Sequence, residues 1–388
     1  MRGVDRRNFL RLTVVGAGAM AFTGGLWQNA FAGPAQPGAG PYGPLGAVDA
    51  NGLRLPQGFT SRVIARSMKE VAGTGYAWHA APDGGACFPD GDGWIYVSNS
   101  EVPLVGGVSA VRFAADGTIV DAYRTLSMTQ INCAGGATPW GTWLSCEEYD
   151  YGCVYETDPY GRNAAKKRSA MGRFKHEAAA CDPVRKVVYL TEDQSDGCFY
   201  RFVPKVWGDL SAGTLEVLVG SAPGEVGWKQ VPQPQLWLTA PRDQVAGALR
   251  FKGGEGCYYS DGVCYFTTKG DNRVWAYDAV NGVLDIAYDD DLVEGGGAPL
   301  TGVDNITGTA GGDLYVAEDG ADMEINLITP EGVVTPFLRI EGHPDSEITG
   351  PAFSPDGTRL YFSSQRGSDG VILGTGGVTY EVSGPFRS

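Results

Sequence analysis

One short strand pattern recurs along the chain and limits the possible folds more than any other feature. Each copy has an aromatic residue within a short apolar run, as in the run WIYV at residues 94–97. The central aromatic residues are 47, 46, 76, 50 and 46 residues apart, and they are Tyr96, Trp143, Tyr189, Tyr265, Tyr315 and Tyr361. A period of about 45–50 residues built from short strands is typical of β-propeller blades. The sequence therefore predicts an all-β fold, a six-bladed β-propeller.

Turns and glycine content support this prediction. A turn precedes each of these strands, as in the PDG runs at residues 89–91 and 355–357, and glycine makes up 58 of the 388 residues, which suits tight turns and disfavours helices. The 76-residue spacing corresponds to one blade and an insertion of roughly 28 residues within 203–250. Only three strands are evident in the last copy, so we expect the N-terminal strand near Val63 to complete that blade and close the ring.

The N-terminus has the features of an export signal. Arg6 and Arg7 precede an apolar run at 12–22, and Ala30-Phe31-Ala32 matches a cleavage site. We expect a twin-arginine signal peptide at 1–32, a Pro/Gly-rich linker at 33–47 and one propeller domain at 48–388. The mature protein is then periplasmic or secreted after passage through the twin-arginine export machinery. No later stretch of the sequence reaches the length of about 18 apolar residues that would predict a membrane-spanning helix.

Charge and cysteine content exclude some functions. The net charge of −15 disfavours nucleic acid as a partner. A phosphate-bearing substrate would also be repelled unless bound cations reverse the local charge. The eight cysteines contain no CxxC pair, which disfavours a zinc ribbon. The pairs Cys257/Cys264 and Cys146/Cys153 could form disulfides across neighbouring strands or remain buried thiols, and both interpretations stay open.

The residue that opens each innermost strand is expected to face the central channel. Counting back six or seven positions from each turn gives Asp83, Cys133, Glu177, Glu255, Asp304 and Thr349. Carboxylates gathered on one axis repel one another unless they bind protons or cations. The ends of the next strands add further polar side chains, among them Asn99, Glu101, Glu148, Asp271, Glu318, Asp319 and Arg366. A thiolate among carboxylates favours a transition metal over a simple calcium site. Solvated turn carboxylates and a structural cysteine are the alternative.

Several sequence blocks resemble the PhoX-type alkaline phosphatase family. They include NCAGG at 132–136, TPWGTWLSCEE at 138–148 and GRFKHEA at 172–178. The resemblance implies a six-bladed propeller with two ferric ions and calcium ions that hydrolyses small phosphomonoesters, and we expect a monomer.

The resemblance also implies roles for particular residues. The catalytic residues would be Cys133, Glu177, Glu255 and Asn99. Among the metal ligands, the resemblance implies Cys133, Glu177 and Glu255. The channel and strand-end positions add Asp83, Glu101, Glu148, Asp304 and Glu318 to the predicted ligands. The family often has Arg-Pro-Glu-Gly where this chain has Gly-Gly-Glu-Gly at 253–256. An arginine there would hold phosphate, so substrate contacts are expected instead from Asn99, Arg366 and Lys252.

Two other functions fit parts of the pattern. A calcium-dependent lactonase or esterase on a similar propeller would need only ions that prefer oxygen ligands, without a thiolate. A non-catalytic metal-binding propeller module would show no turnover. Iron content distinguishes the phosphatase from the lactonase, and turnover distinguishes both enzymes from the binding module.

Overall fold

The computed structural model describes residues 33–235, 238–320, 322–370 and 374–387. Within these ranges the chain forms 27 β-strands and five 3₁₀-helices, and no α-helix. The predicted signal peptide at 1–32 lies outside the described residues. No helix in the described ranges is long and apolar enough to cross a membrane. The 3₁₀-helices are Ser169–Met171, Pro241–Asp243, Lys269–Asp271, Asp290–Leu292 and Gly367–Asp369.

The first strands add to sheets formed later in the chain. They are β1 (Gln36–Pro37), β2 (Leu53–Arg54) and β3 (Thr60–Arg66). The segment 33–47, predicted as a linker, lies against the rest of the protein: Ala35 is buried with Val334, and the hydroxyl of Tyr42 lies 3.1 Å from that of Tyr315. These contacts tie the segment to the domain that follows it.

Two four-stranded antiparallel sheets follow. Sheet 1 comprises β4 (Pro82–Asp90), β5 (Gly93–Ser100), β6 (Gly106–Phe113) and β7 (Ile119–Thr129), in that order. Sheet 2 comprises β8 (Asn132–Ala137), β9 (Trp143–Glu147), β10 (Val154–Thr157) and β11 (Lys166–Lys167), again in chain order. Tight turns join the strands, and Gly91 has a φ of +60° in the turn between β4 and β5, which glycine adopts without strain.

Sheet 3 has nine strands because the predicted insertion extends it. It comprises β12 (His176–Asp182), β13 (Val187–Glu192), β14 (Phe199–Val206), β15 (Asp209–Gly220), β16 (Gly224–Gln230), β17 (Gly254–Ser260), β18 (Val263–Thr268), β19 (Arg273–Asp278) and β20 (Val283–Asp289). Strand β16 pairs with β15 along one edge and with two residues of β20 along the other. The insertion therefore joins two groups of four strands that would otherwise be separate sheets.

The last two sheets contain the strands from both ends of the chain. Sheet 4 comprises β21 (Val303–Gly308), β22 (Leu314–Glu318), β23 (Glu324–Ile328) and β24 (Val333–Ile340), with β1 and β2 beside β24. Sheet 5 comprises β25 (Ile348–Phe353), β26 (Arg359–Ser364) and β27 (Val378–Ser383), followed by β3. Val63 lies opposite Tyr380 in this sheet, which confirms the predicted pairing of the strand near Val63 with the last strand.

Six strands surround the centre of this propeller-like all-β fold. They are β4, β8, β12, β17, β21 and β25, and each contacts the next in a closed ring that returns from β25 to β4. Each predicted aromatic residue lies on the strand that follows one of these six and is buried. Burial of these rings removes large apolar areas from water and packs neighbouring sheets against one another.

Candidate metal centre

Each of the six inner strands contains a β-bulge close to its first residues. In β8, for example, Asn132 pairs with Glu147, but the next pair forms only at Gly135. The same shift occurs in β4, β12, β17 and β21. The residue that leaves the ladder first in these five strands forms a set that we call the inner ring: Asp83, Cys133, Glu177, Glu255 and Asp304. A bulge frees a side chain from the alternation of the strand, so these residues can point toward the axis.

Thr349 is the exception among the six positions predicted from the sequence. The bulge in β25 comes one residue later, so Thr349 stays in the ladder opposite Ser363. Its hydroxyl donates a hydrogen bond to the carbonyl oxygen of Pro82 at 2.8 Å. Thr349 therefore joins the last sheet to the first and is not a member of the inner ring.

A second set of side chains lies at the ends of the neighbouring strands. The last paired residue of each neighbouring strand lies opposite the first residues of an inner strand. Glu147, for example, pairs with Asn132, and Glu318 pairs with Val303. The residues that follow these ladder ends form the outer ring, which consists of Glu101, Glu148, Asp193, Lys269, Asp319 and Gln365. The outer ring thus contains four carboxylates, one ammonium and one neutral amide.

The two rings bring their acidic groups within the reach of metal ions. Four overlapping groups each offer three ligand atoms within 4.8 Å of one another. The groups are Asp83–Glu101–Cys133, Cys133–Glu148–Glu177, Glu177–Glu255–Asp304 and Asp304–Asp319–Glu347. Each group shares a residue with the next, so together they form one continuous cluster, which we call the acidic cluster.

Glu177 is the clearest sign that the acidic cluster is built for cations. Its side chain is fully buried at 0 % exposure, and neither carboxylate oxygen has a hydrogen-bond partner. Burial, followed by the charges of Glu255 and Glu148, raises its pKa well above the usual range. A buried carboxylate without partners is strongly unfavourable. A bound cation would remove that penalty, so the donor set fits a metal.

The other groups of the acidic cluster share this electrostatic environment. Burial raises the pKa of Asp304 to about 7 and that of Glu148 to about 8. Burial, then the charges of Glu101 and Asp304, raises the pKa of Asp83. The pKa of the Cys133 thiol is also raised, by burial and then by Asp83. Without cations these groups therefore hold protons that metal binding would release.

Basic side chains border the acidic cluster. The ammonium of Lys269 lies 3.0 Å from Oε1 of Glu255. The guanidinium of Arg366 lies 2.6 Å from Oε1 of Glu347, so the structure places this predicted substrate contact beside the cluster. No ion pair joins Lys252 to the cluster within the described ranges, and its side chain is exposed.

Asn99 does not have the free amide that a phosphate contact would require. It is buried, and its nitrogen donates to the carbonyl oxygens of Cys133 and Ala134, both at 2.8 Å. Its oxygen accepts hydrogen bonds from Trp143 Nε1 at 2.8 Å and Ser145 Oγ at 2.9 Å. All four hydrogen-bonding positions of the amide are used. Asn99 therefore supports the strand that carries Cys133, and in this arrangement its amide has no free hydrogen-bonding position for a substrate.

Glu318 is likewise a structural residue. Its carboxylate accepts hydrogen bonds from the backbone N–H groups of Thr301 at 2.8 Å and Glu324 at 3.1 Å. Glu147 makes the same two kinds of contact in sheet 2, with Gln130 and Cys153. Within the described part of the chain, Glu318 belongs to none of the groups that could hold a metal. Its role as a metal ligand stays a prediction, and the next residue, Asp319, lies in the acidic cluster.

Sequence reasoning missed Lys269, Glu347 and Gln365. Lys269 could have been found, because it follows its strand as Glu148 follows β9. Asp271 is the predicted strand-end residue of that sheet, and its carboxylate accepts a hydrogen bond from the hydroxyl of Thr268 at 2.5 Å. Glu347 could not be predicted from the repeat, because it directly precedes its inner strand and the residues at the equivalent positions before the other inner strands are not acidic.

Gly253 stands where the resemblance leads us to expect an arginine, and its backbone conformation disfavours any side chain at this position. Its φ is +70°, in the left-handed region that favours glycine, and an added Cβ would lie 3.1 Å from Oδ1 of Asp193. A side chain at this position would meet both backbone strain and a crowded carboxylate. Lys269, and not residue 253, therefore brings positive charge to Glu255 in this chain.

Comparisons with known proteins relate both the sequence and the fold of this chain to other proteins. The sequence model of the family described as Alkaline phosphatase PhoX matches residues 96–152 and 149–284. No curated protein matches the sequence. Among solved structures, PhoX of Pseudomonas fluorescens in complex with vanadate, a transition state analogue, has a TM-score of 0.70 and 17% identity, covering 91% of this chain and 98% of that chain.

A more distant similarity is to XC5397, a gluconolactonase from Xanthomonas campestris. It has a TM-score of 0.49 and 11% identity, over 89% of this chain and 99% of that chain. The residues matched by the PhoX family model include Cys133, Glu177 and Glu255, which are three of the five inner-ring residues. The chain thus matches the sequence model of the PhoX alkaline phosphatase family across the segment that carries these three residues.

Proposed function

We propose that this protein hydrolyses small phosphomonoesters at the acidic cluster with the help of bound iron and calcium. The observation that carries the proposal is Glu177, a fully buried carboxylate with two unpartnered oxygens at the centre of the cluster. Such a residue is strongly unfavourable in a protein that binds no cation. Its place within the segment matched by the phosphatase family model supports the assignment of activity.

We propose a six-bladed propeller for the fold that holds this site. In this interpretation β12–β15 and β17–β20 of sheet 3 are two blades, which β16 joins at their outer edges. The closed ring of six inner strands supports this count. We further propose that 48–388 is the propeller domain and that 1–32 directs twin-arginine export to the periplasm or the medium. The mature enzyme would act as a monomer.

The chemistry of the ligands suggests how the metals divide. Cys133 and Glu177 share a candidate group and would hold iron, because a thiolate favours a transition metal over calcium. Glu255 would join them as an iron ligand, as the resemblance to the PhoX family implies. The groups that offer only oxygen ligands suit calcium, and they include Asp304, Asp319 and Glu347. Asp83, Glu101 and Glu148 lie in groups that also contain Cys133, so they would complete the cluster around the thiolate.

The residues of the chain prepare the site for a phosphate group. The carboxylates hold a concentration of negative charge that only cations can reverse, so substrate affinity depends on metal loading. When bound, the metals supply Lewis acidity, which attracts phosphoryl oxygens and increases the acidity of water. Arg366 lies 2.6 Å from Glu347 and 32% of its side chain is exposed, so its guanidinium can reach an entering phosphate. The hydrogen bonds of Asn99 hold the backbone carbonyl groups of Cys133 and Ala134 in place.

The test is a phosphatase assay on protein exported from its native host, combined with elemental analysis. We expect iron, calcium and turnover of p-nitrophenyl phosphate in the wild type, and loss of both turnover and metal in Glu177→Gln. Glu216→Gln is a matched control, because Glu216 lies on β15 in an ion pair with Arg201, away from the cluster. Metal-loaded protein that cleaves lactones but no phosphomonoester would overturn the proposal.

A further inference from the structure

The outer ring has one position where a cation replaces a carboxylate. In sheets 1, 2 and 4 the residue after the second strand is acidic, namely Glu101, Glu148 and Asp319. At the corresponding position after β18 the residue is Lys269. The repeat thus presents an ammonium group at a point where its neighbours present metal ligands.

The contacts of Lys269 are those of an ion within the acidic cluster. Its Nζ lies 3.0 Å from Oε1 of Glu255 and 3.5 Å from Oδ2 of Asp319. These two acids belong to different rings and different sheets, so the ammonium links the inner ring to the outer ring. The charges of Asp304 and Asp193 also act on the lysine. Four carboxylates therefore act on this one ammonium, and two of them lie within ion-pair distance.

The distribution of candidate metal sites agrees with this placement. Among the described residues, the four overlapping groups use the outer-ring residues Glu101, Glu148 and Asp319, and no group joins Glu255 directly to Asp319. That gap is where the Lys269 ammonium lies. One positive charge in this space lowers the repulsion between the acids and would repel a metal ion that approached the same point.

We propose that Lys269 is a built-in cation that takes the place of one calcium ion between Glu255 and Asp319. This inference rests on the proposed function, since it assumes that the rest of the acidic cluster binds metal. Lys269 acts through the carboxylates that it contacts and is a positioning residue. A carboxylate at this position would restore the pattern of the other sheets and open one more calcium site.

The experiment compares two substitutions at Lys269 with a control. Lys269→Glu should bind about one more calcium per chain than the wild type, measured by elemental analysis after dialysis against calcium. Lys269→Met removes the ammonium without adding a ligand, so it should bind no extra calcium and melt at a lower temperature in excess chelator. Lys205→Glu makes the same charge change at an exposed position of β14 and should alter neither quantity.

Two outcomes would overturn the inference. One is a folded Lys269→Glu protein with the calcium content of the wild type. The other, which decides the matter if Lys269→Glu does not fold, is Lys269→Met with the wild-type melting temperature in chelator, because the ammonium would then not stabilise the cluster. Neither readout uses phosphatase activity, so a metal-loaded wild type without turnover would count against the proposed function alone.

Discussion

The side-chain nitrogen of Gln365 lies 2.6 Å from Oδ2 of Asp83, and this hydrogen bond joins the last sheet of the protein to the first. The same nitrogen lies 2.6 Å from Oε2 of Glu101. An amide has two N–H groups to donate, so Gln365 can serve both carboxylates at once without adding charge. At this point of the ring the two acids are held together even when no metal is bound.

We predict that Gln365→Glu lowers the stability of the metal-free protein at pH 8. The change removes two hydrogen bonds, worth about 0.5–1.5 kcal/mol each, and adds a third acidic group beside Asp83 and Glu101. A loss of this size corresponds to a melting temperature lower by about 5 °C, measurable by calorimetry in chelator. Gln194→Glu is the control, because that amide contacts Asp150 at the surface at 3.3 Å. Equal shifts in both variants would contradict the role assigned to Gln365.

Cys133→Ser should lose iron and most of the phosphatase activity while the protein still folds. Serine is much less acidic than cysteine and a poorer ligand for a transition metal at neutral pH. We expect activity to fall by at least about tenfold, since even indirect partners of a metal have effects of that size. Elemental analysis and visible absorption report the iron. Cys181→Ser on β12 should keep both properties, because Cys181 belongs to no candidate metal group among the described residues.

The metal-free protein should become less stable as the pH rises from 5.5 to 8. The pKa values of Asp304, about 7, and Glu148, about 8, are raised by burial above those of an unfolded chain. The folded state therefore binds more protons than the unfolded state in this range, and the free energy of unfolding falls with pH. Each such group contributes at most about 1.4 kcal/mol per pH unit. Below about pH 4 the groups are protonated in both states and the effect ends.

Melting curves at several pH values, with and without metal, test this dependence. Bound cations compete with the protons, so saturating metal should remove the decline or reverse it. A metal-free protein that is more stable at pH 8 than at pH 5.5 would show that the carboxylates are already paired in some other way.

Glu318→Gln and Asp319→Asn should affect different properties although the two residues are adjacent: the first should lower stability and the second should lower calcium content. Glu318→Gln removes an oxygen that accepts backbone hydrogen bonds, so we expect a loss of about 1–3 kcal/mol in stability and an unchanged metal content. Asp319→Asn should reduce calcium content with little effect on metal-free stability. Thermal melting and elemental analysis on the two variants distinguish these roles. Loss of metal from Glu318→Gln with normal folding would restore that residue as a ligand.

Sequence reasoning could reach the inner ring because the repeat fixes it. Asp83, Cys133, Glu177, Glu255 and Asp304 stand at one place in successive strands, and period and turns alone locate that place. The pairing near Val63 followed from the missing strand in the last repeat. These features depend on local patterns that recur, which a single sequence displays.

Other features of the structure depend on contacts that no local sequence pattern displays. The family resemblance predicts a phosphate contact for Asn99, and nothing local shows that Trp143, 44 residues later, donates a hydrogen bond to its oxygen. The function of Glu318 depends on which backbone N–H groups its carboxylate contacts, and these belong to Thr301 and Glu324. The nine-strand sheet forms because β16 reaches β20, and an insertion carries no repeat that would predict its partner.

The bulges separate the choice of ligand from the stability of the sheets. Each inner-ring residue stands outside the ladder of backbone hydrogen bonds, so a change of side chain there alters the chemistry on the axis without breaking a strand pair. The scaffold can therefore hold a carboxylate or a thiolate at equivalent positions. The inner-ring side chains could therefore be substituted one at a time to change the donor atoms on the axis while the backbone stays the same.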